Sequence, residues 1–315
     1  MTTQSATTSK TAKAHPKRAA IIGLGSMGFG MAQSLKRAGF LVTGCDVSEA
    51  AVARFVAAGG QGAATPAEAA RQADIVVSVV VNAAQTEAIL FGPGGVAETL
   101  AGGGVFVSSA TMDPDAARRL AARLEATGRH YLDAPISGGA TRAVEGALTI
   151  LASGSREAFA RARDALDAMA AKVYELGDEA GMGAAFKMIN QLLAGVHIAV
   201  ASEAMAFAAR QGLDLRKVFE VITASAGNSW CFENRMQHVL DNDYTPRSAV
   251  DIFVKDLGIV QDMARGAKFP VPIAAAALQM FLMTSAAGMG RDDDSSVARL
   301  YAQITGTDLT KASKG

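Results

Sequence analysis

The chain has 315 residues, 50% of them hydrophobic, with 30 Lys plus Arg against 30 Asp plus Glu. That length buries a sizeable core and divides into two domains more readily than it fills one. The balanced charge excludes a basic field for nucleic acid or an anionic membrane surface, so any charge recognition is local.

Residues 1–17 are mostly Thr, Ser, Lys and Ala with no apolar run, and are expected to be a disordered tail rather than a signal peptide. From 18 to 180, short β-rich runs alternate with helical patterns. The runs are Ala19–Gly25, Phe40–Asp46, Asp74–Val81, Gly103–Thr111, Tyr131–Ile136, Leu148–Ser153 and Lys172–Leu176. Several are apolar nearly throughout, as strands covered on both faces are, and the alternation predicts a doubly wound α/β (Rossmann) domain with a mainly parallel sheet. Between runs, Thr65-Pro66-Ala67-Glu68 has the cap, the first-turn proline and the acid of a capping box.

The first run leads into Gly23-Leu24-Gly25-Ser26-Met27-Gly28, a G-x-G-x-x-G placed between a strand and a helix. The first glycine permits the tight turn, the second lets the backbone approach a pyrophosphate and the third lets helix and strand lie close. Taken alone, the same glycines also make an ordinary βα turn. The second run ends in Asp46, where a carboxylate accepts hydrogen bonds from both ribose hydroxyls and repels a 2′-phosphate. NAD is therefore the expected cofactor, and NADP is disfavoured. The plainer role for Asp46 is capping the helix that begins near Ser48.

Cys45 and Cys231 have neither disulfide nor metal spacing and are read as buried thiols of a reducing, cytoplasmic compartment. The histidines, at 15, 130, 197 and 238, show no ligand spacing, so no metal is expected. Further on, Asp133-Ala134-Pro135-Ile136-Ser137-Gly138-Gly139 puts a hydroxyl and two glycines after a strand. Such a turn can point several N–H groups at a small carboxylate; an ordinary turn reads the same.

The strand signal ends near Gly183, and residues 181–315 read as an all-α domain for substrate and oligomerisation, joined to the first by a long helix. The helices expected are Ala184–Gln211, Asp214–Ala224, a segment around Asn234, Ser248–Gly266, Pro272–Ala287 and Ser295–Ile304. Lys187, Asn190 and Gln191 share a helix face, which sets two amides beside an ammonium. Most lysines so placed snorkel to solvent or pair with an acid. His197 is expected to pack. The apolar stretch Met188–Ser202, bracketed by Lys187 and Glu203, is shorter than the roughly 20 residues of a membrane span. No membrane partner is expected; a homodimer or homotetramer is, because this helix is apolar on more than one face.

Four signatures, Gly23–Gly28, Asp133–Gly139, Gly181–Gln191 and Phe253-Val254-Lys255-Asp256-Leu257, occur in this order. With them the chain resembles the β-hydroxyacid dehydrogenases, the family containing 3-hydroxyisobutyrate dehydrogenase and tartronate semialdehyde reductase, over nearly its whole length after the tail. The resemblance implies NAD-linked oxidation of a small hydroxy acid, with Lys187 as acid/base residue. It makes Ser137, Gly138 and Gly139 the substrate-carboxylate loop and gives Asn190 and Gln191 substrate contacts. It adds Val80, Val81 and Thr111 to Gly23, Leu24, Gly25, Ser26, Met27, Gly28 and Asp46 as cofactor contacts, and lays Lys255 over cofactor and substrate together.

Three positions depart from the family pattern: Gln191 stands where a second asparagine is usual, Val81-Asn82 where a proline is common, and Ala110 where Ser is usual. Within the family, the runs Lys187–His197, Ala226–Trp230 and Arg247–Asp251 resemble the branch that oxidises L-threonate, which implies conversion to the 2-oxo acid. The alternatives are a 3-hydroxyisobutyrate dehydrogenase or a tartronate or succinic semialdehyde reductase. Imine-reducing relatives are opposed by Lys187 and Asp46. A non-catalytic NAD-binding protein on the same fold is opposed by the presence of Lys187, Thr111 and Ser137.

Overall fold

The computed structural model describes residues 17–313, so the expected tail lies, except for Lys17, outside the described residues. Strands β1 (Arg18–Ile22), β2 (Leu41–Cys45), β3 (Gln61–Gly62), β4 (Ile75–Ser78), β5 (Val105–Ser108) and β6 (His130–Asp133) form one sheet. Its order is β3-β2-β1-β4-β5-β6 and every pairing is parallel. The order reverses between β1 and β4, the position at which open α/β sheets bind ligands.

The sheet is covered on both faces because alternate residues along each strand point to opposite sides. Ile21, Val77, Val107 and Leu132 join one core with Met31, Leu35, Phe159 and Leu166. Ile22, Val76, Phe106 and Tyr131 join the other with Leu90, Leu120 and Leu124. The crossovers are α1 (Ser26–Arg37), α2 (Glu49–Ala57), α3 (Pro66–Ala70), α4 (Ala83–Phe91), α5 (Val96–Thr99) and α6 (Pro114–Glu125). Thr65 caps α3 as its sequence predicts, accepting from Glu68 N at 3.1 Å.

Beyond β6 the expected run Tyr131–Ile136 breaks. Ala134 N still donates to Ser108 O, but Pro135 has no N–H with which to extend the ladder. The chain turns into β7 (Ile136–Ser137), then α7 (Gly139–Glu145), β8 (Leu148–Ala152), α8 (Arg156–Met169) and β9 (Ala170–Glu175). These strands form a separate sheet, β7-β8-β9, antiparallel at its first pairing and parallel at its second.

From Gly181 onward the described chain is helical apart from an isolated bridge: α9 (Met182–Arg210), α10 (Leu215–Thr223), α11 (Trp230–Asp241), α12 (Val250–Gly266), α13 (Pro272–Thr284), α14 (Val297–Thr305) and α15 (Leu309–Ala312). The segment expected around Asn234 is α11. The predicted helix Pro272–Ala287 passes at Ser285 into a π-turn, within which Gly288 takes φ +89°. With 29 residues, α9 extends past both charged brackets of its apolar stretch and is about 43 Å long. By length and composition it could cross a bilayer, yet α11, α12, α13 and α14 all pack against it. Gly195 lets α12 in: a Cβ there would lie 2.9 Å from Leu257 Cδ1 and 3.0 Å from Phe253 Cδ1. That close approach brings Lys255 and Asp256 of α12 up to Lys187 and Gln191 of α9.

Candidate active site

The glycine loop leaves β1 at the switch point, and its three glycines differ in what they need. Gly23 has φ +96°, and a Cβ there would lie 2.3 Å from Val79 O; a Cβ on Gly28 would lie 1.9 Å from Gly23 O. Gly25 has φ −64° and ψ −163°, open to any residue, and a Cβ on it would meet nothing within 4 Å. Turn geometry and packing therefore account for the outer two only. An open, side-chain-free backbone at the head of α1, which has no side-chain cap, fits the approach of a pyrophosphate.

Asp46 closes the loop from β2: Oδ2 accepts from Leu24 N at 2.6 Å and Oδ1 from Ser48 N at 2.8 Å. The cap of α2 is Ser48 itself, which accepts from Ala51 N at 3.3 Å, so Asp46 ties strand end to glycine loop instead. Leu24 contributes backbone alone, its side chain being core. Gly25 and Ser26 are exposed and Met27 is half-buried. Val80, packed beside Gly23, and the exposed Val81 follow β4 at the same end of the sheet. No proline is needed there: Asn82 Oδ1 accepts from Gln85 N at 2.9 Å and Gln85 Oε1 from Val81 N at 2.8 Å, a reciprocal cap that starts α4.

Lys187 is 7% exposed, and its Nζ donates to Ile136 O at 2.8 Å, next to Ser137. Burial brings its ammonium down to about 8; Asp256 acts against that shift and Lys255 adds to it. Lys255 reaches from α12 to donate to Thr111 O at 3.0 Å, and pairs with Asp256 Oδ1 at 2.5 Å. Gln191 Nε2 donates to Asp256 Oδ2 at 2.6 Å, and Asn190 Nδ2 donates to Gln191 Oε1 at 2.9 Å. The longer amide thus bonds to Asp256 and Asn190. Ser137 lies in β7, and Gly138 and Gly139, with φ +134° and +77°, lead into α7. Lys187, Asn190, Gln191, Lys255, Thr111 and the loop before Gly139 are thereby joined at one junction between the domains.

Two family profiles divide the chain at the same junction. The profile for the NAD-binding domain of 6-phosphogluconate dehydrogenase matches residues 18–177, and that for the NAD-binding region of NADP-dependent 3-hydroxyisobutyrate dehydrogenase matches residues 181–301. The chain belongs to the 3-hydroxyisobutyrate dehydrogenase family. An L-threonate dehydrogenase of Cupriavidus necator is 55% identical over 90% of this chain and 96% of its own length. One from Escherichia coli K12 is 49% identical over 90% and 95%. A crystal structure of 3-hydroxyisobutyrate dehydrogenase from Salmonella typhimurium superposes with a TM-score of 0.86 at 50% identity, covering 90% of this chain and 99% of that one.

This dehydrogenase of the 3-hydroxyisobutyrate family is an NAD-dependent hydroxyacid dehydrogenase. The carboxylate of Asp46, just past β2, is not a group that favours a 2′-phosphate, although the second profile takes its name from an NADP enzyme. Four further residues support the site. Arg54 donates to Leu24 O at 3.0 Å and lies over the Phe29 ring at 4.3 Å, bracing the glycine loop. Asp256, inside the signature around Lys255, holds Gln191 and Lys255. Asp133 and Ser153 hold the start of α9. Apart from the pairing of Asp256 with the adjacent Lys255, the partners lie 20 or more residues away, so sequence spacing does not show these bonds.

Proposed function

We propose that this enzyme oxidises L-threonate to its 2-oxo acid, 2-dehydro-L-erythronate, with Lys187 as acid/base. The observation that carries the chemistry is Lys187 itself, buried, without a carboxylate of its own and anchored beside the Ser137 loop. The substrate rests on the 55% identity to the Cupriavidus enzyme. Bound NAD supplies the hydride acceptor. Gly23 to Gly28 and Asp46 would hold it, together with Val80, Val81 and Thr111, while Ser137, Gly138 and Gly139 would take the substrate carboxylate. Neutral Lys187 accepts the proton of the substrate hydroxyl as the carbon bearing that hydroxyl gives up a hydride, which NAD would take; Lys255 offsets the charge growing on the hydroxyl oxygen. In reduction the ammonium of Lys187 returns the proton. Asn190 and Gln191 border the substrate, with Gln191 acting through Asp256. Steady-state NADH formation with L-threonate, other four-carbon sugar acids, glycerate and 3-hydroxyisobutyrate is the test. A higher kcat/KM for 3-hydroxyisobutyrate than for L-threonate would move the assignment to the related alternative.

The assembly we propose is a homodimer or homotetramer formed through α9. Met182, Phe186, Ile189, Leu193, Val200 and Phe207 are all exposed. Their spacing of three, four or seven residues makes one stripe along the helix, on the side roughly opposite Lys187. A second copy bringing the same stripe buries it without covering the lysine. Both cysteines are free and buried, consistent with a cytoplasmic enzyme. Light scattering should give a dimer or larger, and Ile189→Glu with Leu193→Glu should shift it towards monomer.

A further inference from the structure

Gly181, at the head of α9, has φ +101° and no side chain to cap the helix. The caps come from the other domain. Asp133, wholly buried at the end of β6, accepts from Gly181 N at 3.0 Å and from Ala184 N at 2.8 Å on Oδ2. Ser153, just past β8, accepts from Gly183 N at 2.9 Å, and its Oγ lies 3.4 Å from the same carboxylate oxygen. The helix is seated this deeply only because Gly183 has no side chain: a Cβ there would lie 2.3 Å from Leu151 O. So three N–H groups that a helix start leaves open are bonded to side chains from 30 to 51 residues away. Burial lifts the Asp133 carboxyl to about 6, against the pull of its bonds to Ala184, Gly181 and Ser153 and of nearby Arg118.

Six residues beyond Gly181, Lys187 bonds to Ile136 O, three residues beyond Asp133. One stretch of chain, Asp133–Ser137, therefore holds α9 at two points and continues into the loop assigned to the substrate carboxylate. We propose that Asp133, with Ser153, is a positioning residue that fixes the start of α9 and so places Lys187 relative to the Ser137 loop. The inference rests on Lys187 being the acid/base group. An ordinary cap stabilises its helix wherever the helix lies; this one joins the helix that carries the base to the strand that feeds the substrate loop.

Asp133→Ala, Asp133→Asn, Ser153→Ala and Lys187→Ala, each in the full chain, test it. Misplacing a reacting group by about 1 Å can cost about a hundredfold, so Asp133→Ala should lower kcat by about ten- to a hundredfold with NAD affinity within about twofold. Ser153→Ala should lose less, and Asp133→Asn, which keeps an acceptor for both N–H groups, should recover to within about threefold of the parent. In Asp133→Ala the rising limb of the pH profile for oxidation should also move upward as Lys187 becomes less buried. A lower melting temperature with parental kcat and an unmoved limb would make the cap purely structural and overturn the proposal. Should Asp133→Ala fail to fold, Ser153→Ala decides on the same two readouts. An inactive Lys187→Ala beside unimpaired cap variants overturns the cap proposal alone, whereas an active Lys187→Ala overturns the acid/base reading and the cap proposal with it.

Discussion

Lys187 and Lys255 leave two helices of the C-terminal domain and end on two main-chain carbonyls of the N-terminal domain, Ile136 O at 2.8 Å and Thr111 O at 3.0 Å. Their settings differ. Lys255 brings its counter-ion, Asp256 at 2.5 Å, and keeps a 20% exposed side chain. Lys187 is more deeply buried and is held by a carbonyl, and burial brings it down to about 8. A lysine whose ammonium burial brings down to about 8 is suited to exchange protons at a pH where an ordinary lysine stays charged. The same side chain thus stands in two surroundings, and it is burial, against the pull of Asp256, that lowers Lys187.

Removing the proposed base should have the largest effect. Lys187→Ala should lower kcat by about 10² to 10⁴ while NAD binding, followed by titration, is kept. Lys187→Arg should be nearly as poor, since a guanidinium stays protonated and cannot accept the proton. Equal losses in Lys187→Ala and Lys255→Met, with no change in either pH profile, would erase the distinction between the two lysines.

Lys255→Met should cost on the order of 10², the scale of losing one charged group that stabilises a developing oxyanion. It should also move the rising limb of the oxidation profile to higher pH, because Lys255 helps to depress Lys187. In the parent, oxidation should rise as pH passes through about 8 and level off above it, where Lys187 is neutral; reduction should fall over the same interval. A rising limb near the ordinary lysine value of about 10.4 would mean that burial does not tune this residue.

At the far end of the site, Asp46→Ala supplies a contrast. It should cut the preference for NAD over NADP by about tenfold or more, the worth of one hydrogen bond to a charged group, and leave the pH limb where it was. The smallest effect expected is that of Asp256→Asn, which removes the charge that opposes Lys187's shift. It should move the limb to lower pH, the reverse of Lys255→Met, as kcat/KM measured across pH would show.

The cofactor half of the molecule was legible in the sequence because it is local. Strand, glycine turn, helix and acid lie between Arg18 and Asp46, and apolar runs, glycines and caps report directly on a βα unit. The C-terminal helices were legible for the same reason, through their periodicity. What the sequence could not show was decided by long-range packing. The two-residue β3 carries no pattern of its own. Where the chain goes once Pro135 has ended β6 depends on β7 finding β8 to pair with. The partners of Gln191, Lys255 and Asp133 exist only once α9 is seated on the sheet's end and α12 is drawn in at Gly195. Sequence determined which groups are present and, through the motifs, pointed to Lys187. Tertiary structure decided how far its ammonium is lowered, because its desolvation and its distances to Asp256 and Lys255 arise only where α9 and α12 meet the end of the sheet.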